Sequence, residues 1–153
     1  MRSYFMQNNN ERKKIIGYTA GVFDLFHIGH LNILKNAKKH CDYLIVAVST
    51  DELVQEYKHK TPFIPFEERK AILESIKYVD EVVPQIDRNK KAAYDKYNFD
   101  IMFVGDDWKG NPLFEDTEKY LNKHGSSIMF FPYTKHTSST KLQAVLNKYL
   151  EEK

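Results

Sequence analysis

Residues 43–48 read YLIVAV, an apolar run with no charge and no turn residue. A run this short and this uniformly apolar is the mark of a strand buried on both faces of a parallel sheet. IMFV at 101–104 and IMFF at 128–131 repeat the pattern. With two weaker β-rich runs, the expected strands are Lys14–Ala20, Tyr43–Ser49, Glu81–Pro84, Asp100–Val104 and Ser127–Phe131. Helix-period segments alternate with them at about Gly29–His40, Phe66–Lys77, Lys90–Tyr97, Leu113–Lys123 and Ser138–Leu150. In the first of these, Leu31, Ile33, Leu34 and Ala37 share one face while Lys35, Lys38 and Lys39 stay outside it. Strands alternating with helices specify an α/β domain, doubly wound and Rossmann-like, with helices on both faces. Right-handed crossovers then leave few topologies, and a five-stranded parallel sheet in order 3-2-1-4-5 is expected.

A chain of 153 residues is one domain by size. Its formal charge of +2 is too small to make nucleic acid or an anionic membrane the main partner. The single cysteine, Cys41, excludes an internal disulfide and fits a reducing compartment. The opening MRSYFMQNNNERKK has no apolar segment of the secretory kind. No apolar run approaches the roughly 20 residues that cross a bilayer. The expectation is a cytoplasmic domain over residues 13–153, preceded by a polar leader at 1–12.

Ligands of open α/β sheets bind beyond the carboxyl ends of the strands, where the strand order reverses. The segments there are GVFDLFHIGH (21–30), GDDWKGN (105–111), STDELVQEYKHKTPFIPF (49–66) and PYTKHTSST (132–140), the third read as a loop. In the first, His27 and His30 lie three apart and so face the same way from an opening helical turn. A helix N-terminus attracts anions through its unpaired N–H groups, and Gly29 lets a phosphate approach the backbone. Two imidazole donors there suit phosphate oxygens, although packing or metal ligation are the alternatives for such a pair. Zinc is disfavoured because the chain has one cysteine and no third ligand at a suitable spacing. Neither G-x-G-x-x-G nor G-x-x-x-x-G-K-[ST] occurs, so any phosphate is held by another device.

GVFDLFHIGH, GDDWKG and TSSTK, in this order on an alternating α/β chain, resemble the H-x-G-H nucleotidyltransferases, and within them the cytidylyltransferases, glycerol-3-phosphate cytidylyltransferases above all. STDEL and EERKAILESIKYVDEVVP extend the likeness over residues 15–146. The resemblance implies transfer of a cytidylyl group from CTP to a small phosphate monoester, glycerol 3-phosphate first, giving CDP-glycerol and pyrophosphate. It implies that His27, His30, Lys58 and Lys60 act on the phosphates. Ala20, Gly21, Val22, Phe23, Asp106, Thr134, Ser138, Ser139 and Thr140 would hold the nucleotide. Asp24, Arg69, Lys77 and Trp108 would hold the acceptor. Mg²⁺ would arrive with the substrate phosphates rather than on protein ligands. A homodimer is implied too, with IKYVDEVVP (76–84) as its candidate interface.

Several positions carry blander roles as well. Ser138, Ser139 and Thr140 are natural helix caps, Arg69 can pair with Glu67, Glu68 or Glu74, and Trp108 can simply pack. The chain also departs from the family pattern. Tyr133 stands where the family has Arg, His136 where it has Gly, and Lys77 where it often has Arg. The alternatives are choline, ethanolamine or another polyol phosphate as acceptor, adenylyl transfer on the same scaffold, a non-catalytic nucleotide-binding module, and a structural metal at the histidine pair.

Overall fold

The computed structural model describes residues 13–132 and 138–151, with Asp107 described by its backbone alone. The leader, Tyr133, Thr134 and His136 lie outside the described residues.

Five strands, β1 (Ile16–Gly21), β2 (Tyr43–Ser49), β3 (Glu81–Gln85), β4 (Ile101–Gly105) and β5 (Ser127–Phe131), form one sheet in order β3-β2-β1-β4-β5. All neighbouring pairs are parallel, with Ile16 opposite Tyr43 and Ile101 opposite Ser127. The expected order is therefore the observed one. Six helices accompany the sheet: α1 (Ile28–Lys38), α2 (Asp51–Lys58), α3 (Phe66–Glu74), α4 (Lys90–Tyr97), α5 (Pro112–Lys123) and α6 (Ser139–Glu151). A short 3₁₀ turn, Asp106–Trp108, follows β4.

Alternation within YLIVAV explains why the run is apolar throughout. Leu44, Val46 and Val48 pack with Leu34 and Ala37 of α1 and Leu73 of α3. Ile45 and Ala47 point the other way, toward Tyr18, Phe99, Met102 and Leu121. Both faces of the strand are thus core, and burying each such side chain contributes roughly 1.5–3 kcal/mol. Gly17 permits the first of these cores to close. A Cβ there would stand 2.6 Å from Cε2 of Phe103 and 2.7 Å from Sγ of Cys41.

The helix α2 is a departure from the sequence expectation, which had loop from Ser49 to Phe66. Its signals are standard ones: Thr50 caps it by accepting from Leu53 N–H at 3.1 Å, and Asp51 and Glu52 occupy the first turn. Leu53 and Val54 anchor it, and His59 ends it in the left-handed region at φ 56°. Among the described residues no helix is long and apolar enough to cross a membrane.

Candidate active site

The carboxyl ends of β1 and β4 open into a cleft of about 940 Å³. A smaller pocket of about 190 Å³ adjoins it, sharing Val22, Phe23, His30 and Lys58. The chain leaves β1 through a tight turn. Phe23 and Leu25 both take positive φ, 55° and 51°, a conformation that L side chains adopt at a cost. Gly21 makes room for it, because a Cβ there would meet the Phe23 ring at 3.0 Å. Through this turn α1 begins directly beneath the cleft.

His27 is the N-cap of α1. Its Nδ1 accepts from Gly29 N–H at 3.0 Å, and Nδ1 of His30 accepts from His27 N–H at 3.2 Å. This is a capping box built from two imidazoles. A ring nitrogen that accepts a backbone N–H carries no proton, so each ring holds its proton on Nε2. The rings lie 4.0 Å apart at 30°, and His30 is flanked by Phe23 and Phe26, each at 5.3 Å. His30 Nε2 is 3.4 Å from Ser139 Oγ, which donates to the Asp24 carbonyl at 2.6 Å. The first turn of α6 is thereby tied to the histidine turn.

Asp24 and Arg69 form the frame of the site. Asp24 is buried, and its carboxylate accepts from Phe63 N–H at 2.8 Å, Ile64 N–H at 2.9 Å and Gln143 Nε2 at 3.2 Å. Arg69 is also buried. Its guanidinium donates to the carbonyls of Ile64, Val22 and Ser49, each at 2.8 Å, and to Asp51 Oδ1. Its ion-pair partner is Asp51 rather than Glu67, Glu68 or Glu74. Four bonds from one guanidinium join the ends of β1 and β2 to the loop before α3. Both residues, expected at the acceptor, are committed to holding that loop.

The other sequence candidates divide as follows. Ala20, Gly21, Val22 and Phe23 line the cleft along the end of β1. Asp106 and Trp108 line it from the turn after β4, with Trp108 packed on Phe114 at 5.2 Å. Ser138 lines it too, while its Oγ caps α6 by accepting from Lys141 N–H at 3.1 Å. Ser139, Thr140 and Lys60 line the smaller pocket, and Lys60 donates to Gln143 Oε1. Lys77 is not brought to this end. It is exposed in the connection before β3, over the Tyr78 ring, where the strands begin rather than end.

Positive charge gathers on the cleft. Lys58 lines both pockets, and burial pushes its ammonium below its usual range, with Lys60 and Arg88 adding to the effect. Among the cleft-lining residues that sequence reasoning did not select are Gln85, Arg88 and Lys90. Burial, seconded by Arg88, pushes Lys90 down to about 8. The available signal was a cluster of cations immediately after a β-strand, in DRNKK (87–91). Among the described residues no group of three or more His, Cys, Asp or Glu side chains could hold a metal ion.

Comparison with known proteins places the chain. The cytidylyltransferase-like family model matches residues 18–144. A glycerol-3-phosphate cytidylyltransferase of Bacillus subtilis is 41% identical over 132 residues, 86% of this chain and 95% of that one. An FAD synthase of Thermococcus kodakarensis is 34% identical over 147 residues, 92% of this chain and 95% of that one. Among solved structures, a lipopolysaccharide core biosynthesis protein from Thermoplasma volcanium superposes with a TM-score of 0.67 at 26% identity. It covers 82% of this chain and the whole of that one. With the histidine pair capping the helix after β1, these matches make the chain a nucleotidyltransferase of the cytidylyltransferase-like family.

Proposed function

We propose that the protein transfers a cytidylyl group from CTP to a small phosphate monoester, with glycerol 3-phosphate as the first choice. The observation that carries this reading is the imidazole capping box, which fixes two Nε2–H donors at a helix N-terminus on the cleft. The 41% identical glycerol-3-phosphate cytidylyltransferase supports the choice of substrates.

An oxygen of the acceptor phosphate attacks the α-phosphorus of CTP. A new O–P bond forms, the bond to the β-phosphate oxygen breaks, and pyrophosphate leaves with that electron pair. A phosphate monoester has a second pKa near 6, so its dianion needs no general base at neutral pH. The barrier lies in bringing two anions together and in the charge that grows on the phosphoryl oxygens. His27 and His30 donate to those oxygens from rings already oriented by the backbone. Lys58 and Lys60 supply positive charge from the end of α2 and the loop beyond it. Ser138, Ser139 and Thr140 offer hydroxyl and N–H donors at the opening of α6, while Asp106 and the end of β1 hold the nucleoside.

The polar groups on the otherwise largely apolar cleft include imidazoles, ammonium groups and hydroxyls, a donor set that suits phosphates better than a bare cation. Mg²⁺ therefore fits as an ion carried in by the triphosphate, where it neutralises charge. The same reading extends to a homodimer, checked by sedimentation equilibrium.

Pyrophosphate release with CTP, tested against polyol and amino-alcohol phosphates, tests the assignment. Turnover with CTP and glycerol 3-phosphate supports it. The FAD synthase match favours adenylyl transfer as the second reading, and selective turnover of ATP would replace the first reading with it.

A further inference from the structure

Gln143, at the start of the second turn of α6, joins two groups of opposite charge through one amide. Its Nε2 donates to Asp24 Oδ2 at 3.2 Å, and its Oε1 accepts from the Lys60 ammonium. An amide can serve both because it carries a donor and an acceptor; a carboxylate or an ammonium there could serve only one. Asp24 is buried, so the anchored end of this bridge is rigid.

The other end is not. Lys60 is exposed, and among the described residues it has no ion-pair partner. Its backbone is fixed from both sides. His59 closes α2 in the left-handed region at φ 56°, and Thr61 Oγ1 donates to Gln55 Oε1 at 3.3 Å. Among the described residues, Gln143 is the one hydrogen-bond partner of the Lys60 ammonium. That placement is not one that charge alone would select. Lys58 lines the same small pocket, and Lys60 is near enough to help push its ammonium down. Without a holder, a long exposed side chain would turn from a like charge into water and regain rotamer freedom. A carboxylate at 143 would hold Lys60 and cancel its charge. The neutral amide holds it and leaves the charge intact, with two further N–H donors still available for an anion.

We infer that Gln143 is a positioning residue for the triphosphate: anchored on Asp24, it keeps the Lys60 ammonium at the smaller pocket, so that arriving phosphates meet a cation already in place. This rests on the reading of the chain as a cytidylyltransferase whose Lys60 binds phosphate. It gives α6 a task in nucleotide binding beyond the donors of its first turn.

A double-mutant cycle on CTP affinity tests it, by calorimetric titration of the wild type, Q143M, K60M and K60M/Q143M. Methionine matches glutamine in length and can make neither bond. Q143M should weaken CTP binding about fivefold, the scale of ordering one long side chain on binding. K60M should weaken it further, and adding Q143M to K60M should then change it by less than about twofold. A Gln143 that merely supported the fold through Asp24 would weaken binding by the same factor in both backgrounds, and that result overturns the inference. So does a Q143M affinity within about twofold of the wild type. Q143E has the same shape, but its carboxylate neutralises Lys60 and faces Asp24. It should bind CTP at least as weakly as Q143M, and wild-type affinity in Q143E refutes the inference. Pyrophosphate release from CTP and glycerol 3-phosphate reads the functional assignment separately, and there Q143M should raise KM for CTP and leave KM for glycerol 3-phosphate near the wild-type value. Should the wild type turn over no phosphate monoester with CTP, the functional reading fails, and the binding cycle, run with CTP and with ATP, still decides Gln143. Binding of neither nucleotide to the wild type refutes both.

Discussion

His27 donates its backbone N–H to Nδ1 of His30 at 3.2 Å, so each imidazole is oriented by main chain through one nitrogen and faces chemistry through the other. Capping and catalysis are thereby separable. Asparagine is as good an N-cap as any residue, so H27N should keep stability within about 0.5 kcal/mol of the wild type. H27A should lose about 1 kcal/mol. Both should lower kcat by about 10²–10³, the scale of one lost transition-state donor, while CTP still binds. Urea titration and pyrophosphate release measure the two effects. A fall in kcat below threefold for H27N would remove the histidine from the chemistry.

Asp24 lines the smaller pocket, and its carboxylate is held by the loop before α3. Replacing one carboxylate oxygen by an amide leaves Phe63 N–H or Ile64 N–H without its acceptor. D24N should cost about 1–3 kcal/mol of stability and should raise KM for CTP, because Lys58 and Lys60 lie at the start of the loop it holds. Denaturant unfolding and initial rates test both effects together. Lower stability with an unaltered KM would show that the loop reaches the nucleotide without this clamp.

Arg69 is a stronger case, with a guanidinium that has no exposed surface. R69M leaves three carbonyls and Asp51 without their donor, and a loss of about 3 kcal/mol or more is expected. R69K should recover only part of it, since an ammonium cannot reproduce the planar fork. Equal stability of R69K and the wild type in a thermal melt would contradict this.

Lys90 gives a pH dependence whose sign follows from its lowered proton affinity. Below about 8 the folded and unfolded chains both hold the proton, and the group contributes no pH dependence. From there to the ordinary value of 10.5 the unfolded chain binds it and the folded chain does not. Stability of the unliganded protein should therefore rise with pH across that window, and K90M should flatten the rise. Thermal melts of the wild type and K90M from pH 7 to 10 check this.

Gly17 tests the packing. A methyl group at 2.6 Å from Phe103 and 2.7 Å from Cys41 must displace one of them. G17A should cost about 1–3 kcal/mol without altering KM for either substrate, as read from unfolding curves and initial rates.

The sheet was legible because strand burial on two faces leaves an unmistakable residue pattern, as in Tyr43–Ser49 and Ser127–Phe131. The histidine pair was legible because its spacing and its place after the first strand have few structural meanings. What escaped notice depended on contacts between distant segments. Residues 50–58 held a good cap and an acidic first turn, but only eight helical residues and two anchors, Leu53 and Val54, too few to separate a helix from a charged loop. Arg69 looked available for a ligand until the structure brought the carbonyls of Val22, Ser49 and Ile64 around it. Gln85 gained meaning only when its burial beside the cleft was known, and no local pattern encodes that.

The left-handed backbone at Leu25 has an evolutionary corollary. Glycine would adopt that geometry without strain, so breeding for heat resistance alone should favour it there. The same change would unlock the bend that aims both rings, and hardier descendants would turn over more slowly.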